Sequence, residues 1–361
     1  VEVIVTSLLI VFAVLHLLET GSLVYVIYTE KPPQSAHVTP VTVVVCAHND
    51  QQHLKGLIPL LLNQAYENFE VIIALDRCTD GSQQLAETFS DDCIRFIVIK
   101  DEKPGIHPKK RAIEQAIRQA QNEWIVLTDA DCRPGTKWLK SMARYMDTTT
   151  GVVLGQSPYM RQSGLLNQII QYETFMTALH FTGAALQGRP YMGLGRNLAY
   201  RKSLFYAVGG FGEYAGQTGG DDDLLVQRLS RHCKVSVALE PDSWVNSFPV
   251  DNWKDYVRQK TRHFSVAKKY TSGSLNQETI RWSIHIILWI LLFTLMACNV
   301  TWMAGILMVL ICVKIIWFNI VSDRITKRFN QLWLPFVDLF YVVFFPLISI
   351  RSFWVKKITW N

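Results

Sequence analysis

Trp124-Ile125-Val126-Leu127-Thr128-Asp129-Ala130-Asp131 is the stretch on which the fold turns. Four apolar residues of the kinds favoured in buried strands run into a polar turn with two carboxylates one residue apart. The same arrangement recurs upstream. Val41 to Cys46 reads as a strand ending in Ala47-His48-Asn49-Asp50, and Glu70 to Leu75 as one ending in Asp76-Arg77-Cys78-Thr79-Asp80. Ile94 to Ile99 reads as a further strand, while Gln51 to Gln64, Ser82 to Phe89 and Lys109 to Gln119 read as helices. Strands alternating with helices predict an α/β domain with a mostly parallel sheet covered on both faces. In such sheets ligands bind beyond the carboxyl ends of the strands, where these acids lie.

Any one of these strand ends has an ordinary explanation, because Asp and Asn start turns through local hydrogen bonds. Three acidic ends on one sheet edge repel one another unless a cation or a positive substrate group sits among them. Asp129 and Asp131 suit one Mg²⁺ or Mn²⁺, which uses one or two carboxylates and completes its shell with phosphate oxygens. His48, Asn49, Asp76 and Asp80 are the candidate contacts to the rest of such a ligand. Lys109, followed by Lys110 and Arg111, opens a helix and is placed to meet phosphates or a base, with a solvated helix end expected for two of the three.

Further along, Gly193-Leu194-Gly195-Arg196-Asn197 reads as a flexible turn and lacks the third glycine of a dinucleotide fingerprint. Asp221-Asp222-Asp223 precedes the helical run Leu224 to Leu229; one acid suffices as a cap, and three exceed that need. Asp251 to Tyr270 reads as a basic amphipathic helix with Gln259 and Arg262 on one face, which suits a membrane surface and a site alike.

The 361 residues are 49% hydrophobic and only 18% charged, where soluble domains carry roughly 25%, so part of the chain is expected in lipid. A net charge of +6 suits anionic headgroups and gives no footprint for nucleic acid. Seven cysteines without a C-x-x-C pair disfavour a zinc site or a disulfide framework and fit reducing cytosol. Val3 to Tyr28 is long enough to span a bilayer and reads as a retained anchor rather than a cleaved signal peptide. Glu19 within it needs a protein partner or the interface. Ser283 to Val321 allows two more helices, broken near Asn299-Val300-Thr301. The connector with Arg324, Lys327 and Arg328 places itself in the cytoplasm by the positive-inside rule. Leu332 to Ile350 either spans or is re-entrant; spanning would leave Arg351, Lys356 and Lys357 outside. The expected division is an anchor at 1–30, a catalytic block at 31–278 with amphipathic interface helices, and a membrane set at 279–361.

Taken in order, an Asp after the second strand, D-x-D, a later D-D and Q-x-x-R resemble the motifs of membrane-bound family 2 glycosyltransferases, from Val41 to about Tyr270. The resemblance implies a GT-A catalytic fold with flanking transmembrane helices. It implies inverting transfer of a sugar from a nucleotide-sugar donor, a UDP-sugar, with a divalent cation. Asp76 then resembles the aspartate on the nucleotide base, with Asp80 nearby, and Lys109 the lysine that touches the nucleotide. Asp129 and Asp131 resemble the D-x-D pair on the diphosphate and its metal. Asp222 resembles the general base, with Asp221 and Asp223 one residue either side, while Gln259 and Arg262 match the pyrophosphate and acceptor motif. His263 stands where the family has Trp, which weakens any implication of processive synthesis. The membrane layout is similar to that of ceramide-type glucosyltransferases, implying a lipid acceptor at the cytosolic face of the inner or plasma membrane. The alternatives are a polysaccharide synthase acting on a growing glycan, or a non-catalytic nucleotide-sugar-binding membrane protein.

Overall fold

The computed structural model describes residues 2–33, 38–89, 91–298, 302–326 and 329–355. The chain forms two compact units. One comprises Lys31–Met160 with Gly188–Pro249; the other comprises Val1–Glu30, Arg161–Gln187 and Val250–Lys356. Residues 161–187 and 250–278, which the sequence alone assigns to the catalytic block, group with the apolar helices.

The first unit carries β1 (Val41–Ala47), β2 (Phe69–Asp76), β3 (Ile94–Ile99), β4 (Trp124–Asp129) and β5 (Cys132–Pro134). It continues with β6 (Thr150–Leu154), β7 (Leu198–Arg201), β8 (Lys234–Val237) and β9 (Val245–Ser247). Seven of them form one sheet in the order β3-β2-β1-β4-β7-β6-β8, and β5 pairs with β9 separately. β1, β2, β3 and β4 are mutually parallel, whereas β7 runs antiparallel to both its neighbours. The mostly parallel sheet expected from the alternating pattern is present. All seven residues of β1 are buried, as a central strand covered on two faces requires.

Helix Gln51–Leu62 shows how one face is covered. Its buried positions Leu54, Leu57, Ile58 and Leu61 recur at helical spacing and join Val43, Val45, Val71 and Ile73 in one core cluster. Each such side chain contributes about 1.5–3 kcal/mol when fully buried. Register then decides where the acids go. Cys46 of β1 lies opposite Asp129 of β4, and Ala47 lies opposite Leu75, the residue before Asp76. Parallel pairing therefore delivers Asp76, Asp129 and the β1 terminus to one sheet edge.

The second unit is helical: Glu2–Thr29, Leu165–Leu186, Trp253–Ala267, Ser272–Ala297, Met303–Ile325 and Leu334–Trp354. Four of its helices, Glu2–Thr29, Ser272–Ala297, Met303–Ile325 and Gln331–Trp354, are long and apolar enough to cross a membrane. At about 1.5 Å per residue, each covers the roughly 30 Å of a hydrocarbon core. The last is α-helical over Leu334–Trp354 and contains Pro346. The expected break at Asn299-Val300-Thr301, the connector cations Lys327 and Arg328, and the tail lysines Lys356 and Lys357 lie outside the described residues.

Polar residues in this unit find one another. Glu19 pairs with Arg281 at 2.5 Å, and Arg281 also pairs with Glu278. Lys260 and Glu173 form a buried pair at 2.5 Å. Gly183 lets helix Leu165–Leu186 approach helix Glu2–Thr29, since a Cβ there would sit 2.7 Å from the Leu23 side chain. Arg324 reaches the carbonyls that end the first helix, 2.5 Å from Ile27 O and 2.6 Å from Tyr28 O.

Candidate active site

Asp129 ends β4, and the turn Asp129-Ala130-Asp131 leads straight into β5. Helix Pro108–Gln119 begins with Pro at its first position, where a missing N–H costs nothing, and this puts Lys109 in the first turn. Lys109 Nζ lies 3.0 Å from Asp129 Oδ1 and 2.9 Å from Asp221 Oδ2, joining the D-x-D turn to the later acidic run. Burial opposes the Lys109 charge, but Asp129 and Asp221 outweigh it and raise its pKa well above the ordinary lysine value. Burial pushes the Cys46 thiol up, and the charges of Lys109, Asp129, Asp221 and Asp76 also act on it.

All three cations at this helix start are engaged, although the sequence alone leaves two of them solvated. Lys110 is buried and donates to the carbonyls of Tyr214 and, at 3.0 Å, Gln217. It thereby ties down the loop that precedes the acidic run. Arg111 donates to the Asp101 carbonyl.

The three consecutive acids have different partners. Burial works against Asp221, yet Lys109 holds its carboxyl down to about 2. Asp222 caps helix Asp223–Leu229, accepting from Asp223 N at 2.8 Å through Oδ1. Its Oδ2 accepts from Gly195 N at 3.0 Å, which ties the Gly193–Asn197 turn to the acidic run. Burial, and then the charge on Asp221, raise the pKa of Asp222 above the ordinary carboxylate value. Asp223 accepts from Leu224 N at 2.8 Å and belongs to the helix start.

On the β1–β2 side, Asp76 is 1% exposed and accepts from Arg77 Nη2 at 2.9 Å. His48 Nδ1 lies 2.6 Å from the Asp76 carbonyl oxygen; since a carbonyl only accepts, Nδ1 carries the proton. Asn49 Oδ1 accepts from Thr79 N at 2.7 Å and Asp80 N at 3.3 Å. Asp80 in turn accepts from Gln51 N at 2.9 Å and Ser82 N at 3.0 Å. Burial raises its pKa, but these hydrogen bonds prevail and lower it. Asn49 and Asp80 thus lock two loops together. Asn49 and Arg77 have φ of 56° and 47°; Asn tolerates that region, whereas Arg77 is strained by about 1–3 kcal/mol.

Two contributors carry no signal of their own in the sequence. Ser247, on β9 and paired in register with Cys132, donates through Oγ to Asp131 Oδ2 at 2.9 Å. Asn197 accepts from Trp138 Nε1 at 2.9 Å and donates to the carbonyls of Gln156 and Ser243, both at 2.8 Å. This network secures β7 beneath the turn that holds Asp222.

Gln259 and Arg262 sit one turn apart on helix Trp253–Ala267, which belongs to the helical unit. They are not among the residues that the first unit gathers at its sheet edge. Among the described residues no three His, Cys, Asp or Glu side chains are grouped to hold a metal unaided. The oxygen donors of Asp129 and Asp131 nevertheless fit Mg²⁺ or Mn²⁺ bound jointly with a diphosphate, because that shell needs only one or two carboxylates.

Residues 42–209 match Glycosyl transferase family 2. The chain carries a family 2 glycosyltransferase domain. EpsH of Bacillus subtilis, named as a glycosyltransferase, is 26% identical over 170 residues, 46% of this chain and 48% of that protein. The cholesterol galactosyltransferase of Borreliella burgdorferi is 24% identical over 95 residues, 26% of each chain. The chain spans about half the length, or less, of the curated relatives it matches. Among solved structures, a mannosyltransferase from Pyrobaculum calidifontis in complex with GDP-Man and Mn²⁺ is similar with a TM-score of 0.62. The two are 16% identical, and the likeness covers 98% of both chains. The family 2 domain therefore has the GT-A fold implied by its motifs, and outside it the chain carries four helices long and apolar enough to cross a membrane.

Proposed function

We propose that the family 2 domain transfers one sugar from a nucleotide-sugar donor to a hydroxyl group of a membrane lipid, with inversion, at the cytosolic face. One observation carries this reading: Lys109 links the D-x-D turn to the acidic run and neutralises Asp221, leaving the adjacent Asp222 with backbone N–H donors and no ion pair among the described residues. Asp222 accepts the proton of the acceptor hydroxyl as that oxygen attacks the anomeric carbon. The sugar–phosphate bond breaks in the same displacement, and the nucleoside diphosphate departs with the electron pair. Asp129 and Asp131 hold the divalent cation, which offsets charge on the leaving diphosphate. Ser247 orients Asp131 for that task. Asp76, His48, Asn49 and Asp80 shape the nucleotide end.

The lipid acceptor is supported by the four apolar helices and by a relative named for a sterol substrate. The cytosolic orientation is supported by Arg324, a cation at the end of helix Met303–Ile325 that binds the carbonyls closing the first helix. The test is nucleoside diphosphate release from a panel of UDP- and GDP-sugars with Mn²⁺ or Mg²⁺, with and without lipid acceptors. A lipid-extractable product bearing a single sugar is expected. Long water-soluble polymer would replace this reading with that of a polysaccharide synthase, and nucleotide binding without turnover with that of a sensor.

A further inference from the structure

Arg196 stands between the two halves of the site, and no role above uses it. On one side its neighbour Gly195 donates to Asp222 Oδ2 at 3.0 Å. On the other side its guanidinium lies over the ring of Tyr159, 4.3 Å from the centroid. Tyr159 is bridged to Ser247, whose hydroxyl holds Asp131 at 2.9 Å. Residue 196 therefore adjoins both the segment that holds Asp222 and the one that holds Asp131. The charges of Asp131 and Asp129 both act on it.

A guanidinium has five N–H donors. Among the described residues Arg196 spends one, in a long 3.4 Å contact to the Ser157 carbonyl, and it forms no ion pair. A half-buried cation with most donors unspent among the described residues, lying over an aromatic ring and within the field of Asp129 and Asp131, is arranged for an anion. We infer that Arg196 grips the diphosphate of the donor and neutralises the charge that builds on it as the sugar leaves. This rests on the reading of the site as a nucleotide-sugar site and adds a diphosphate-binding residue to it. The bond changes are those already given: the anomeric carbon–phosphate oxygen bond breaks, the acceptor oxygen bonds to carbon, and the acceptor proton passes to Asp222. Arg196 donates hydrogen bonds throughout and exchanges no proton.

The experiment titrates the full chain with UDP, GDP, UMP and GMP in the presence of Mn²⁺, comparing wild type with Arg196→Met and Arg196→Lys. Charge-assisted bonds to phosphate predict that Arg196→Met weakens diphosphate binding about ten- to a hundredfold and leaves monophosphate binding unchanged. Arg196→Lys, which keeps a point charge, should fall between. In turnover, kcat should drop more than KM rises, because the charge on the leaving group is greatest in the transition state. Equal losses for mono- and diphosphates in both variants, with a lowered Tm, would make Arg196 a packing partner of Tyr159 and overturn the assignment. Unchanged diphosphate affinity would do the same. A wild-type chain that binds none of the four nucleotides overturns both the assignment and the reading beneath it.

Discussion

Lys314 and Lys109 each meet carboxylates, and their surroundings differ. In the helical unit, Lys314 Nζ lies 2.9 and 2.8 Å from the two oxygens of Asp338. Asp338 also accepts from Trp289 Nε1 at 3.0 Å and from the Tyr172 hydroxyl, and His285 Nε2 approaches it at 3.2 Å. All the acceptor sites of that carboxylate are taken, by residues from three other helices, and every charged member is buried. In the family 2 domain, Lys109 bridges Asp129 and Asp221, while among the described residues Asp131 and Asp222 retain lone pairs. Asp129 keeps a 29% exposed side chain. A saturated cluster has nothing left for a ligand, whereas an unsaturated one beside solvent is ready for one. Counting occupied lone pairs thus separates a clasp from a site more sharply than charge or burial does.

Asp338→Leu tests the clasp and should have the largest effect. It leaves Lys314 buried without a counter-charge and orphans the Trp289 and Tyr172 donors, costing about 3–5 kcal/mol. Thermal unfolding in detergent measures this, and Lys314→Met combined with Asp338→Leu should recover part of the loss. A single variant as stable as wild type would show that the cluster holds nothing together. Asp222→Asn tests the open cluster: turnover should fall about 10²–10⁴-fold while nucleotide binding persists. Normal turnover in that variant would remove the proposed base.

Smaller effects sharpen the contrast. Ser247→Ala frees one oxygen of Asp131 and should weaken Mn²⁺ activation by about 10–100-fold with little change in stability. An unaltered Mn²⁺ dependence would reduce Ser247 to a strand residue. The smallest effect is a shift in pH dependence. Burial and the Asp221 charge raise the Asp222 carboxyl, so activity should be lost, as pH falls, at a higher pH than an ordinary carboxylate would set. Asp221→Asn deletes the second of these causes and frees Lys109 to favour the charged form. The acid limb of kcat/KM should therefore move to lower pH; a limb that stays or rises would contradict Asp222 as its source.

Much of this was legible in the chain itself. Local β-branched runs and helical spacing locate β1 to β4, because periodicity is a short-range consequence of burying one face. The D-x-D turn and the acidic run are equally local signals. Ser247 and Arg196 are not: the first acts 116 residues from Asp131 and the second through a ring on another segment. Nothing in a single sequence marks such partners, since serine and arginine are common on any surface. The roles of Lys109 and Lys110 could not be told apart either. They are adjacent in one helical turn, and only their different directions send one to the carboxylates and the other to the loop carbonyls.

Sequence alone determined β1 to β4, the helices that alternate with them and three of the apolar helices, and left the fourth apolar run as spanning or re-entrant, since each follows from side-chain pattern within a few residues. Tertiary structure decided which charges are spent and which are free. That depends on the register Cys46–Asp129, on the crossing of helices that carry Lys314 and Asp338, and on β9 lying against β5. Electrostatic partners are set by distances in space, and those exist only once the strands are paired and the helices packed.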